Sequence, residues 1–279
     1  MGRLVLHIGM HKTGTTAIQH ALAVHRPLLA ALGIDYYRPP GPGGRPLPKA
    51  NDLFAAISAE KDGRGPDPVH GPSAPLVSAL AARVAAARGP VVVSAEGLSG
   101  EDPAFARALA PLAAPQTRVI VALRRPDAWA ESFYAQMVMS REVAEWRSFP
   151  DWLVLPSTAV HLDYEALLGW WAEAFGAQAL RVLAYRPERD PLPGFLAAAG
   201  LPRWLAASPL ARGRRNPAPG RAALIARRVE NGGAEAGATG FGADARAAFL
   251  AARAPALERI RARWRPDLVQ LFPEPGLRG

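Results

Sequence analysis

Between residues 9 and 16 the chain reads Gly9-Met-His-Lys-Thr-Gly14-Thr-Thr16, directly after the apolar run Leu4-Val5-Leu6-His7-Ile8 and directly before an alanine- and leucine-rich helical pattern. A strand that feeds a helix through a glycine-containing turn leaves backbone N–H groups unpaired at the helix start, where the helix dipole is also positive. The chemistry this offers is the gripping of an anion, phosphate above all. Lys12 adds a compact, rotatable point charge, unlike the planar arginine fork. Its type is informative, because only Lys12, Lys49 and Lys61 are lysines among 33 basic residues. A second constellation, Arg124-Arg-Pro126-Asp-Ala-Trp-Ala-Glu-Ser132, offers a charge and a hydroxyl donor for another phosphate if the chain folds back. The bland alternative pairs Arg124 with a helix carboxylate such as Asp127 and leaves Ser132 on the helix surface. For proton transfer the candidates are Glu96, just after the run Val91-Val92-Val93, and His11 inside the turn. His7, inside a strand, reads as a core or supporting residue.

These side chains need a scaffold to position them. Short apolar runs at 4–8, broken only by His7, and at 91–93 and 119–123 read as buried strands, and 180–185, which contains Arg181, reads as a fourth strand. Helical patterns occupy 15–32, 50–60, 76–88, 103–113, 127–142, 163–175, 192–199, 219–231 and 242–263, with a bend near Arg26 imposed by Pro27. Residues 38–48, rich in proline and glycine, read as loop, as does the stretch from 61 through Pro75. Continuously apolar strands alternating with helices predict a parallel sheet covered on both faces. In such sheets ligands gather at the carboxyl ends of the strands, where the Gly9–Thr16 turn, Glu96 and Arg124 all fall. The expected fold class is therefore α/β and three-layer, with a central, mostly parallel sheet flanked by helices. Residues 1–279 are expected to form a single domain.

Bulk composition narrows the function classes. A hydrophobic share of 49% with 20% charged residues suits a globular chain with a substantial core. The absence of cysteine excludes disulfides, thiol nucleophiles and thiolate metal sites. No apolar run approaches the ~20 residues a membrane helix needs. The N-terminus lacks the pattern of a secretion signal, so a cytoplasmic location is expected. The net charge of +9 favours acidic partners, but the arginines are scattered and no nucleic-acid motif occurs. A user of an anionic nucleotide fits this balance equally well.

The spacing Gly9-x-x-x-x-Gly14-Thr15-Thr16 follows the phosphate-loop template, with one departure: Thr15 stands where nucleotide hydrolases have lysine, and the lysine lies earlier, as Lys12. Taken with the arginine motif, the chain resembles the sulfotransferases that use 3′-phosphoadenosine 5′-phosphosulfate (PAPS). Lys12-Thr13-Gly14-Thr15-Thr16 matches their 5′-phosphosulfate loop at every place, and Arg124, Pro126 and Ser132 match the spacing of their 3′-phosphate signature. The likeness covers mainly residues 4–20 and 119–136. It implies a phosphate-loop topology, PAPS as donor, 3′,5′-ADP as product and no metal. It also implies that Lys12, Thr13, Gly14, Thr15 and Thr16 hold the 5′ end, and that Arg124 and Ser132 hold the 3′-phosphate. Glu96 stands where cytosolic members carry a histidine base, with His11 as rival. Ala17 replaces the tryptophan that packs on adenine in many members, which leaves Tyr185 as a candidate for that contact. Arg214 and Arg215, in the stretch Arg212-Gly-Arg-Arg-Asn216, are weaker candidates for phosphate contacts.

The resemblance implies a hydroxyl or amine acceptor; a carbohydrate or small molecule is a candidate that no residue here selects, and Trp129, Trp146 and Trp152 are candidates to line its site. The segment from Glu142 to Pro156 is a candidate lid. Two other readings stay open: an atypical phosphate-loop kinase or hydrolase, and a non-catalytic nucleotide- or anion-binding module. Oligomeric state is not legible.

Overall fold

The computed structural model describes residues 2–39, 50–100, 102–208 and 219–272. The chain divides into two compact units, one of Met1–Leu123 with Ala166–Arg214 and one of Arg124–Glu165 with Arg215–Gly279.

The first unit is a parallel sheet with helices on both faces. In chain order it contains β1 (Arg3–Gly9), α1 (Thr15–Val24), α2 (Arg26–Ala31), β2 (Asp35–Tyr36), α3 (Asn51–Lys61), α4 (Ser73–Ala86), β3 (Pro90–Ser94), α5 (Ala104–Leu109) and β4 (Arg118–Leu123). The second unit opens with α6 (Pro126–Met139), α7 (Phe149–Leu153) and α8 (Pro156–His161). Helix α9 (Tyr164–Phe175) begins there, and the chain then returns to the first unit for β5 (Leu180–Ala184) and α10 (Leu192–Ala199). The second unit closes with α11 (Arg221–Glu230) and α12 (Ala243–Trp264).

The five strands lie in the order β2-β3-β1-β4-β5, and every pairing is parallel, so the expected mostly parallel sheet is wholly so. β1 is central and buried from Leu4 to Gly9, which explains its unbroken apolar pattern. On one face Val5, Val92 and Ile120 pack against Ile18 and Leu22 of α1 and Phe195 and Leu196 of α10. On the other, α4 packs against β1 and β3 while contacting α3 and α5. Pro27 falls at the start of α2, and His25 ends α1 with its Nδ1 2.8 Å from the Ala21 carbonyl oxygen. The expected break near Arg26 is thus a boundary between two helices.

The sequence patterns locate most helices to within two or three residues. They place the start of α4 late, because Pro75 sits in its first turn, where a missing N–H costs nothing. The two-residue β2 and the short α7 and α8 escape them.

The second unit is helical, with α11 and α12 packed on α6. Its interior is aromatic: Tyr134 meets Phe149 edge-on at 5.3 Å, and Phe149 meets Phe241 at 4.8 Å. Arg228 on α11 is 1% exposed and donates to the carbonyl oxygens of Ala234, Ala236 and Ala238 at 2.9, 3.0 and 3.3 Å. The loop after α11 therefore wraps its guanidinium, and the Phe149 N–H reaches the Ala238 carbonyl oxygen at 2.9 Å.

Candidate functional site

The phosphate-loop residues lie between β1 and α1 in the first unit. Three positions there need left-handed backbone: Gly9 (φ 113°), Lys12 (φ 64°) and Gly14 (φ 77°). Two are glycine, which reaches this region without steric cost, whereas Lys12 holds it at an energetic penalty of the kind found at binding loops. Thr13 is buried and donates its hydroxyl to the Met10 carbonyl oxygen at 2.6 Å, closing the loop on itself. That leaves only the backbone of Thr13 for a ligand. The Met10 N–H reaches the Ala122 carbonyl oxygen of β4 at 3.2 Å, so the loop is tied to two strands.

Gly14 caps α1 with no side-chain hydrogen bond, and the first turn of the helix contains no acidic residue. The positive end of α1 therefore has no anionic side chain of its own, and this fits an external phosphate. Thr15 is buried and Thr16 exposed at that end. The Tyr185 ring and Pro191 close over Gly14: a Cβ built there would lie 2.7 Å from Pro191 Cγ and 3.1 Å from Tyr185 Cε2. Tyr185 follows β5, and its N–H donates to the Leu123 carbonyl oxygen at 2.7 Å.

Glu96 opens a 3-10 turn, Glu96–Ser99, immediately beyond β3. A Cβ on Gly9 would come within 2.9 Å of the Glu96 carbonyl oxygen, so that turn lies against the start of the loop. Its partly buried carboxylate accepts a hydrogen bond from Gln19 Nε2 at 2.7 Å. The Ser94 hydroxyl connects Gln19 Nε2, at 3.3 Å, with His7 Nδ1, at 2.9 Å. His7 is fully buried, and burial pushes its imidazole pKa down to about 4, against a smaller upward pull from Glu96. It is a neutral core residue, as its place in a strand implies. His11 is half-buried within the loop.

Arg124 and Ser132 belong to the second unit. Arg124 immediately precedes the N-cap of α6, and its carbonyl oxygen accepts from the Tyr164 hydroxyl at 2.9 Å. Ser132 is half-buried on α6. Asp127, in the first turn of α6, takes two hydrogen bonds from Arg125 at 2.7 and 2.8 Å and one from Arg246 at 2.5 Å. Burial raises the Asp127 pKa, but those arginines outweigh it and hold the carboxyl below the usual range. Asp127, the partner that the bland reading offered to Arg124, is thus held by Arg125 and Arg246.

Lys12, Thr13, Gly14, Thr15, Thr16, Glu96, His11 and Tyr185 all belong to the first unit: His11 to Gly14 on the loop after β1, Thr15 and Thr16 in the first turn of α1, Glu96 in the 3-10 turn beyond β3 and Tyr185 directly after β5. Arg214 and Arg215 lie outside the described residues. Gln19 is the site residue that sequence reasoning missed. Its signal is a polar residue on the apolar stripe of α1 between Ile18 and Leu22. Trp129 and Trp152, expected near an acceptor, are buried in the second unit: Trp129 stacks on Phe133 at 4.8 Å, and Trp152 packs near Tyr134 at 5.3 Å. Trp146 is 52% exposed. The expected lid is packed down by Phe149 and Trp152, and Asn231 Nδ2 holds the Glu145 carbonyl oxygen at 3.0 Å. No cluster of three or more metal-ligating side chains occurs among the described residues, and none of their helices is long and apolar enough to cross a membrane.

The fold is similar to that of a solved sulfotransferase. That protein, from Alicyclobacillus acidocaldarius, aligns at a TM-score of 0.51 and 18% identity over 94% of this chain and 95% of its own. A gluconokinase from Sinorhizobium meliloti 1021 aligns at a TM-score of 0.36 and 16% identity over 71% of this chain and 91% of its own. No protein-family model matches the chain, and no curated protein matches it. The parallel sheet with helices on both faces is the α/β fold that this chain shares with the solved sulfotransferase.

Proposed function

We propose that this protein is a sulfotransferase that moves a sulfuryl group from PAPS to a hydroxyl or amine, on a carbohydrate or small molecule, and releases 3′,5′-ADP. The observation that supports the reading is the seating of the Glu96 backbone against Gly9, at the start of the lysine-bearing loop, with the Glu96 carboxylate hydrogen-bonded to Gln19 of the helix that follows. PAPS, when bound, supplies the sulfuryl group and the phosphate that departs with the nucleotide. Backbone N–H groups from Thr13 to Thr16 and the hydroxyls of Thr15 and Thr16 hold the 5′-phosphate at the positive end of α1. Lys12 neutralises the negative charge that grows on the oxygen leaving sulfur. Glu96 takes the proton that the acceptor loses, with His11 as the alternative base. Tyr185 covers the nucleotide side of the loop. Arg124 and Ser132 bind the 3′-phosphate, which orients the donor.

The deciding experiment is a binding comparison by calorimetry among 3′,5′-ADP, AMP and Mg-ATP. A hydrogen bond to a charged phosphate is worth about 1.5–3 kcal/mol, so 3′,5′-ADP should outbind AMP by at least about tenfold. Arg124→Ala should erase that preference while leaving AMP affinity unchanged. Preferential binding of Mg-ATP would refute the reading in favour of phosphoryl transfer, and equal affinity for 3′,5′-ADP and AMP would remove the role of Arg124.

A further inference from the structure

Gln19 occupies a place where an apolar residue is expected. It lies on the core-facing stripe of α1 and is 7% exposed. A buried amide needs partners, and both of its N–H donors have them: Glu96 Oε2 at 2.7 Å and Ser94 Oγ at 3.3 Å. An ionised carboxylate only accepts, so the short contact identifies the amide nitrogen, not its oxygen, as the atom facing Glu96. Ser94 continues the chain to His7 Nδ1 at 2.9 Å, inside the sheet. Three elements, β1, α1 and β3, thereby meet at the Ser94 hydroxyl, and the Gln19 amide carries the connection on to the Glu96 carboxylate.

We propose that Gln19 is a positioning residue for Glu96, holding its carboxylate in one orientation and in the ionised state through a hydrogen bond anchored on Ser94 and His7. The inference rests on the reading of Glu96 as the proton acceptor. A donor held against a carboxylate favours its charged form and restricts its rotamers. Titratable and charged groups from the neighbouring elements lie near the same carboxylate. His7 of β1 is held neutral by burial at its pKa of about 4. The Tyr36 hydroxyl of β2 is pushed up by burial, against a downward pull from Arg38 and with a further upward contribution from Glu96, and so stays protonated. α3 and α5 both pack on the 96–99 turn, and there they present Phe54 to Gly97 and Phe105 to Gly100. Asp52 of α3 is engaged by the Tyr37 hydroxyl. Gln19 also sits one turn beyond Thr15, so the helix that receives the phosphate is the one that fixes the carboxylate.

The test uses Gln19→Met, which keeps length and removes both donors, and Gln19→Glu, which sets a second acid beside Glu96. The Glu96 carboxyl is followed by 13C chemical shift during a pH titration of the full-length protein. Relative to wild type, the midpoint should rise by about one unit in Gln19→Met, a tenfold change, and further in Gln19→Glu. In sulfuryl transfer from PAPS, Gln19→Met should lower kcat at least about tenfold, with KM for PAPS within about twofold. In a Glu96→Ala background the same substitution should lower kcat no further, because Gln19 then has nothing to hold. An unmoved titration midpoint in a folded variant overturns the inference, as does an equal loss of kcat in both backgrounds. Absence of transfer from PAPS with the titration shift intact counts against the sulfotransferase reading alone.

Discussion

Replacing Gly14 by alanine probes the loop with a matched control inside the same unit. Two costs combine at this position. The backbone is left-handed, at φ 77°, and an L-residue pays about 1–2 kcal/mol to stay there. The new methyl would also lie 2.7 Å from Pro191 Cγ and 3.1 Å from Tyr185 Cε2, closer than real Cβ contacts allow. Pushing Pro191 and the tyrosine ring aside adds about 1–3 kcal/mol. Gly33 has nearly the same backbone, φ 73°, but a Cβ there meets nothing within 4 Å. Gly33→Ala therefore carries only the backbone cost, and the difference between the variants measures the packing alone. Urea unfolding should show Gly14→Ala destabilised by about 1–3 kcal/mol more than Gly33→Ala. Because the atoms that must move are those closing over the phosphate loop, 3′,5′-ADP affinity should fall about tenfold in Gly14→Ala and stay unchanged in Gly33→Ala. Equal destabilisation of the two variants would refute the reasoning, since it would mean that Tyr185 and Pro191 do not press on the loop.

Lys12→Gly should raise stability by about 0.4–1 kcal/mol, by relieving the left-handed backbone, while turnover drops about 10²–10³-fold and PAPS affinity changes far less. Urea curves and single-turnover rates measured on one preparation check both halves. His7 governs an acid window. The unfolded imidazole binds a proton below about 6.5 and the buried native one only below about 4, so stability should fall by roughly 3 kcal/mol as pH drops from 6.5 to 4. His7→Asn should flatten that stretch of a urea-unfolding pH series, and an unchanged slope would contradict the burial of the imidazole. Arg228→Met strips the donors from the carbonyl oxygens of residues 234–238 and should cost about 3–5 kcal/mol, read by hydrogen exchange in the second unit. Arg228→Lys should recover part of that loss.

The strands were legible because a sheet covered on both faces demands continuous apolar runs, which Val91–Val93 and Val119–Leu123 supply without interruption and Leu4–Ile8 supplies but for His7. β2 was not, since two residues, Asp35 and Tyr36, are too few for a pattern and owe their conformation to the neighbouring β3. The turn after β1 was marked in the sequence by Gly9 and Gly14, both left-handed in the structure, whereas the left-handed backbone at Lys12 breaks the local preference and carried no signal of its own. Tryptophan positions misled. Trp129 and Trp152 look like sugar platforms in the sequence, but the helical second unit needs them as filler. Gln19 was hidden for the opposite reason, because an amide inside an apolar stripe acquires meaning only when Ser94 and Glu96 arrive from a distant strand.

The central place of β1 bears on how the chain comes off the ribosome. β1 is made before both strands that flank it, and its β4 edge has no partner until roughly a hundred further residues have emerged. Until then a strongly apolar ribbon stands with bare amide and carbonyl groups along that side, open to pairing with another nascent copy. Fragments that stop before residue 118 should accumulate as insoluble material, and slower, cooler expression should favour recovery of the full chain.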